Sequence, residues 1–224
     1  MSREGNPHQA GNFGAFMNAR CGKLTGSRMK HAMSYMKQNE KEIKEKKPKE
    51  DKQDRTNLKI EILCERMTGD IMDKFVNQAM QWGIEKEPEA KAAYESKTGR
   101  IIRDVGFIDH PRIEFCGASP DGFVDEGLIE IKCPNTSTHV SWILDGGIPE
   151  EHKAQMTLQA AVTGRSWVDF VSYDPRMPEA QQLLVRRFYP TSEEIAVIEK
   201  EAETFLAEVE GMFEVLTRRE MIDE

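Results

Sequence analysis

Residues 119–132 constrain this chain more than any other stretch. Leu128-Ile129-Glu130-Ile131-Lys132 follows an alternating strand pattern, and residues two apart on a strand point to the same face. One face therefore carries Glu130 and Lys132, while the other offers Ile129 and Ile131 to a core. Asp125-Glu126-Gly127, just upstream, is a turn signal. A hairpin at that turn brings Ser119-Pro120-Asp121-Gly122 back alongside, with Asp121 beside Glu130.

Two neighbouring carboxylates form a hard, oxygen-rich site suited to Mg²⁺ or Mn²⁺. A bound divalent ion lowers the pKa of its water and stabilises charge on a phosphate under attack. Lys132, on the face of Glu130, is placed to orient or deprotonate that water, or to stabilise the developing charge. Without a cation the arrangement is costly, since two carboxylates about 4 Å apart repel by roughly 4 kcal/mol at an effective dielectric of about 20. Glu-x-Lys alone also fits the wet face of an ordinary surface hairpin. It is Ser-Pro-Asp-Gly at this distance that favours a site.

The pattern resembles the PD-(D/E)xK nuclease superfamily and, more closely, the phage lambda exonuclease family of viral recombination nucleases. The likeness extends over about residues 19–190, with motifs in the same order. Gln81-Trp82-Gly83-Ile84-Glu85-Lys86-Glu87 is similar to the family's Trp-Gly segment, with a glutamate four residues after the glycine. Lys153-Ala154-Gln155-Met156 and Tyr173-Asp174-Pro175-Arg176-Met177 are similar to downstream segments, and Arg20 to Ser27 to an Arg-containing Thr-x-Ser segment. The family has an arginine shortly after its Lys-Cys-Pro, whereas Asn135-Thr136-Ser137-Thr138 supplies none here.

The resemblance implies roles for further residues. Glu87 joins Asp121 and Glu130 as a metal ligand, although spacing alone reads it as a first-turn residue favourable to the helix dipole. Ile131 lends its backbone carbonyl to the ion. Gln155 positions water or phosphate, and Gln159, one helical turn on, extends its face. Arg20, Ser27 and Ser119 form a pocket for a terminal 5′-phosphate, a role for which a guanidinium and hydroxyls are suited. A surface ion pair for Arg20 and a helix N-cap for Ser27 are the structural alternatives. Met80 aligns with a strand-separating wedge; a buried helix methionine fits equally. His139 and His152 flank the site, but magnesium prefers oxygen, so neither is expected to bind it.

At 224 residues with 38% hydrophobic content, one nuclease domain over 1–224 with a real core is expected. No apolar run approaches about 18 residues and the N-terminus lacks an apolar signal region, so neither a membrane span nor a secretory signal is expected. Cys21, Cys64, Cys116 and Cys133 lack zinc or Cys-x-x-Cys spacing. They read as reduced thiols in a cytoplasm, mostly buried. The net charge of −8 argues mildly against a general DNA coat but not against an enzyme with a basic channel.

Lys37 to Arg55 is a mixed charge run containing Pro48, read as a solvated flexible loop over about 37–56. Helices are expected over Arg28–Tyr35, over Leu58 to about Met80 with Ile60, Leu63, Met67, Ile71 and Phe75 on one side, and over Glu87–Lys97 with Pro88 near its start. Strands follow near Arg100–Ile108, Ile113–Gly117, Gly122–Val124 and Leu128–Lys132. Then come a helix over Glu151–Val162, strands over Trp167–Tyr173 and Leu183–Tyr189, and a final helix. Its N-cap is Thr191 with Glu194 as capping-box partner, and its stripe is Ile198, Ala202, Phe205, Val209, Met212 and Leu216. The order implies an α/β fold, which by resemblance is a restriction-endonuclease-like mixed central sheet flanked by helices.

The expected activity is a Mg²⁺-dependent, ATP-independent 5′-to-3′ exonuclease acting at double-stranded DNA ends. It releases 5′-mononucleotides and leaves 3′ single-stranded tails for annealing recombination. The resemblance implies a homotrimer ring, a phage single-strand annealing protein as partner, and a phage- or prophage-encoded protein in a bacterial cytoplasm. Two other classes stand against it. A related nuclease with an iron–sulfur cluster and single-strand preference needs a cysteine after the catalytic region, and none follows Cys133. A non-catalytic DNA-end-binding scaffold does not need the full Asp121/Glu130/Lys132 trio.

Overall fold

The structure, a computed structural model, describes residues 10–72 and 77–220. Its centre is a four-stranded mixed sheet of β4 (Gly122–Val124), β5 (Gly127–Lys132), β6 (Val168–Tyr173) and β7 (Leu183–Phe188). β5 pairs antiparallel with β4 and parallel with β6, with Glu130 opposite Phe170. The β4–β5 turn is the expected one. Asp125 adopts a left-handed conformation, φ 47°, which Asp tolerates better than most residues. A second sheet joins β1 (Leu24–Thr25), β3 (Cys116–Ala118) and β2 (Ile108–Asp109) in that spatial order. β1 lies parallel to β3. The hydrogen bonding thus divides the expected central sheet in two.

Helices cover both faces of the larger sheet. Ile129, Ile131, Val171 and Tyr173 pack with Ala90 and Tyr94 of α5 (Gln78–Thr98). Leu128, Val168 and Phe170 pack with Trp142 of α6 (Thr136–Asp145) and Met156 of α7 (Glu150–Thr163). The β5 alternation therefore operates as read, with odd positions toward α5 and even positions toward α6 and α7. A third cluster joins α7 to α2 (Met29–Ala32), α4 (Gln53–Thr68) and α8 (Ser192–Glu220). α8 begins with the expected capping box: Glu194 N–H donates to Thr191 Oγ1 at 3.1 Å, and Thr191 N–H to Glu194 Oε2 at 2.7 Å. Ile198, Ala202, Phe205 and Val209 are buried, whereas Leu216 is exposed.

Several boundaries differ from expectation. The helix over Leu58–Met80 stops at Thr68, where Gly69 turns left-handed and its N–H caps Glu65. Its buried face is Arg55, Leu58, Ile62, Leu63 and Glu65, while Ile60 and Met67 are exposed. The expected stripe failed because two buried positions are charged and satisfied by partners. Phe75 lies outside the described residues. α5 starts at Asn77, whose side chain caps Met80 N–H at 2.9 Å, so Pro88 is interior. Pro88 removes only one helical donor, and Ala90 and Tyr94 anchor the following turns.

The charged run is not wholly a loop. Residues 40–44 form α3 (Glu40–Lys44) under an Asn39 capping box, and Tyr35 bridges to Asp51. Arg55 is fully buried, bonding Ala32 carbonyl, Asp51 and Glu208. Arg28–Tyr35 shortens to α2 after a 3₁₀ turn over Gly26–Arg28. Of the strand expected over Arg100–Ile108, only a bridge at Arg103 to Phe123 and the start of β2 exist. α6 was not foreseen; Asn135 caps it, its side chain accepting from Thr138 N–H. All four cysteines are free, but only Cys116 is buried. No described helix is long and apolar enough to cross a membrane.

Candidate active site

Glu130 lies in the interior, 1% exposed, because the even face of β5 runs under α7. A buried carboxylate is tolerable only when hydrogen-bonded. Lys132 Nζ donates to Glu130 Oε1 at 2.5 Å, Gln155 Nε2 to the same oxygen at 2.6 Å, and Gln159 Nε2 to Oε2 at 2.5 Å. Gln155 and Gln159 sit on successive turns of α7, which explains how one helix addresses both oxygens. Lys132 Nζ is also 3.5 Å from Gln155 Oε1.

Asp121 sits between β3 and β4, held by its own backbone and by β5. Its N–H donates to the Ile129 carbonyl at 3.1 Å, and its Oδ2 accepts from Ile131 N–H at 2.6 Å. The next residue, Gly122, packs closely against the segment before β4: a Cβ there would meet Ile102 Cγ2 at 2.4 Å. Burial pushes the Asp121 carboxyl well above the usual carboxylate range, and Glu130 and Glu87 push it further the same way. Burial opposes the Lys132 ammonium, but Glu130 and Asp121 outweigh it and raise its pKa above the ordinary lysine value.

Glu87 reaches the same cavity from α5, which packs on the opposite face of the sheet. Its Oε1 pairs with Lys91 Nζ at 3.0 Å, and Lys91 also pairs with Asp104 at 2.8 Å. The cavity is about 1370 Å³ and is lined by Arg20, Ser27, Ser119, Asp121, Glu130, Ile131, Lys132, Gln155, Glu87 and Met80 among others. Every residue assigned a site role from the sequence therefore reaches one cavity. Met80 is 49% exposed on the first turn of α5, so the buried-methionine alternative is overturned. The structure records the Ile131 backbone through its N–H, bound to Asp121.

Arg20, at the end of α1 (Ala10–Arg20), forms a compact donor group with the second sheet. Its guanidinium donates to Ser119 Oγ at 2.9 Å, Ser27 Oγ at 3.1 Å and Thr25 Oγ1 at 3.4 Å. Among the described residues Arg20 is held by hydroxyls and makes no ion pair, against the surface-ion-pair alternative, and Ser27 is not an N-cap but lies inside the 3₁₀ turn. Burial, reinforced by Arg28, lowers the Arg20 pKa to about 10, so it stays charged at neutral pH. Arg28 itself is fixed by Glu61 and by buried Glu65, which also accepts from Gly22 N–H.

Lys91 and the Arg28–Glu65 pair carried no recognisable signal in the sequence, whereas Thr25 is the threonine of the Thr-x-Ser segment and was given no role of its own. His139 is buried between Ser172 Oγ and the Gln181 carbonyl. His152 stacks on Phe170 and meets Trp142 edge-on; burial, then Lys132 and Lys30, push its pKa down to about 3.

The oxygen donors of Asp121, Glu130 and Glu87 have the chemistry that Mg²⁺ or Mn²⁺ takes. The elevation of the Asp121 carboxyl by Glu130 and Glu87 is what a cation relieves. As the side chains stand, no three described His, Cys, Asp or Glu residues are grouped closely enough to hold an ion; Glu87 is paired with Lys91 and Glu130 with its three donors.

A family model described as YqaJ-like viral recombinase domain matches residues 15–166. Two structures of the alkaline exonuclease LHK-Exo from Laribacter hongkongensis, one in complex with dAMP, are 42% identical to this chain. Each match covers 94% of this chain and 100% of the other, with TM-scores of 0.83 and 0.82. A phage-related exonuclease from Haemophilus somnus 129PT shares the fold at 14% identity, 87% and 96% coverage and a TM-score of 0.66. No curated protein matches. The chain belongs to the YqaJ-like viral recombinase domain family, the lambda exonuclease family of recombination nucleases.

Proposed function

We propose that this protein is a Mg²⁺-dependent, ATP-independent exonuclease that degrades one strand of double-stranded DNA from its 5′ end. The observation carrying this reading is the junction at Ser119-Pro120-Asp121. Arg20 binds Ser119, and two residues on, Asp121 faces Glu130 and Lys132. A guanidinium–hydroxyl group chemically suited to a terminal phosphate thus adjoins a carboxylate centre, the juxtaposition that an enzyme acting from a chain end needs. The likeness to an alkaline exonuclease whose structure contains dAMP supports a product of 5′-mononucleotide size.

In this reading Arg20, Ser27 and Ser119 grip the terminal 5′-phosphate, and Thr25 adds a hydroxyl. Asp121 and Glu130, with Glu87 and the Ile131 carbonyl, hold the ion, which when bound activates water and stabilises charge on the phosphate. Lys132, charged at neutral pH, donates hydrogen bonds to the developing anion and to Glu130. Gln155 positions water or phosphate beside it. Met80, exposed on the cavity rim, separates the strands at the duplex end. By likeness to the lambda family, the enzyme works as a trimeric ring beside a phage single-strand annealing protein in a bacterial cytoplasm, leaving 3′ tails.

The test is digestion of a linear duplex with and without Mg²⁺, with products resolved by size. Mononucleotides that form only with the ion are expected. Binding of duplex ends without cleavage under any divalent ion would instead make the protein a scaffold.

A further inference from the structure

Gln159 is not used by the reading above, yet its environment is unusual. It is 1% exposed on the buried face of α7, between Leu158 and Ala160, which are also buried. Its Nε2 donates to Glu130 Oε2 at 2.5 Å. Its own Oε1 is buried without a hydrogen-bond partner. An apolar side chain would fill this position without stranding a carbonyl, and buried polar atoms are seldom left unpaired. The amide orientation is also determined, since the opposite one would set a carbonyl against a carboxylate. Glu130 is thus the group that the Gln159 amide serves.

The two oxygens of Glu130 differ. Oε1 is shared by Lys132 and Gln155, both of which line the cavity. Oε2 is held by Gln159, which lies deeper along α7. We infer that Gln159 is a positioning residue that ties back Oε2, so that Glu130 presents Oε1 to the cavity. Groups behind a metal ligand fix its orientation and tune its affinity for the ion. The inference rests on the proposed divalent-cation nuclease, and Gln159 acts in it only through Glu130.

The experiment compares wild type with Gln159→Leu and Gln159→Glu. Mg²⁺ and Mn²⁺ binding is measured by calorimetry without DNA, and cleavage is followed as a function of Mg²⁺ concentration. For Gln159→Leu, the ion's dissociation constant is expected to rise about 10- to 100-fold, with turnover recovering at saturating Mg²⁺. Gln159→Glu, which sets a second carboxylate against Oε2, is expected to weaken cleavage further. A merely structural role would lower the melting temperature without moving the metal titration. Should Gln159→Leu not fold, Gln159→Met supplies the same loss of donor with a flexible side chain. Wild-type metal affinity in a folded variant lacking the amide would overturn the inference. Wild type that neither binds the ion nor cleaves would overturn the functional reading itself, and the inference with it.

Discussion

In the proposed mechanism, three side chains with opposing electrostatic demands carry the chemistry. Asp121 is raised by burial and by Glu130 and Glu87, whereas Lys132 is held as an ammonium by Glu130 and Asp121. Replacing Lys132 with Ala removes both a donor to the developing charge and the cation that compensates Glu130. Cleavage is expected to fall by about 10²–10³-fold, the usual cost of losing one such donor, with the protein still folded; near wild-type turnover would remove Lys132 from the mechanism. Asp121→Asn replaces a charged ligand with a neutral one. Calorimetry is expected to show Mg²⁺ affinity falling by roughly tenfold or more, and unchanged affinity would place the ion elsewhere. His152 makes a separate, pH-dependent prediction. Its folded pKa of about 3 lies below the ordinary 6.5, so the unfolded chain takes up the proton first as pH falls. The stability it contributes is present above about pH 6.5 and is lost on the way down toward pH 3. His152→Phe is expected to narrow the gap between melting temperatures at pH 7 and pH 5, and an identical gap would contradict the burial of a neutral ring.

The β4–β5 hairpin is the element that makes the site. Gly122→Ala places a Cβ 2.4 Å from Ile102 Cγ2 and 3.1 Å from the Arg103 carbonyl. Such overpacking costs about 1–3 kcal/mol, which for a domain of this size lowers the melting temperature by roughly 2–12 °C; an unshifted transition would mean that the hairpin does not pack as described. The hairpin was legible because its signals are local: alternation in residues 128–132 and a turn at Asp125. The same held for α8, whose capping box and apolar stripe lie close in sequence. The misread elements depend on distant partners. α4 buries Arg55 and Glu65, which reads as surface until Glu208 and Arg28 are brought beside them. α5 contains Pro88, which local rules place near a start, while the real start is set by the Asn77 cap. α6 was not expected from the sequence, and its N-cap is Asn135. Among the site residues, Asp121, Glu130 and Lys132 followed from spacing, whereas Glu87, Gln155 and the Arg20 pocket followed only from family likeness. Glu87 comes from the far side of the sheet, a relation that no spacing in the chain encodes.

For the molecule as a whole, an overall charge of −8 coexists with a cavity whose lining includes Arg20, Arg28, Lys30, Lys91 and Lys132. The acidic surplus serves solubility elsewhere and the carboxylate centre within, so DNA engagement depends on where the cations lie and not on their number. In the proposed mechanism, a terminal 5′-phosphate held by Arg20 beside the Asp121–Glu130 centre sets direction. The direct measurement is the initial rate on duplexes labelled separately at the 5′ or 3′ end, with 5′-phosphate or 5′-hydroxyl termini, for wild type and Arg20→Ala. Label is expected to leave first from 5′ ends and faster from phosphorylated ones. Arg20→Ala is expected to lower the rate by roughly tenfold or more, since a charge-assisted hydrogen bond contributes about 1.5–3 kcal/mol, and to shrink the preference for phosphate. Release beginning at 3′ ends, or the same phosphate preference in both proteins, would contradict this mechanism.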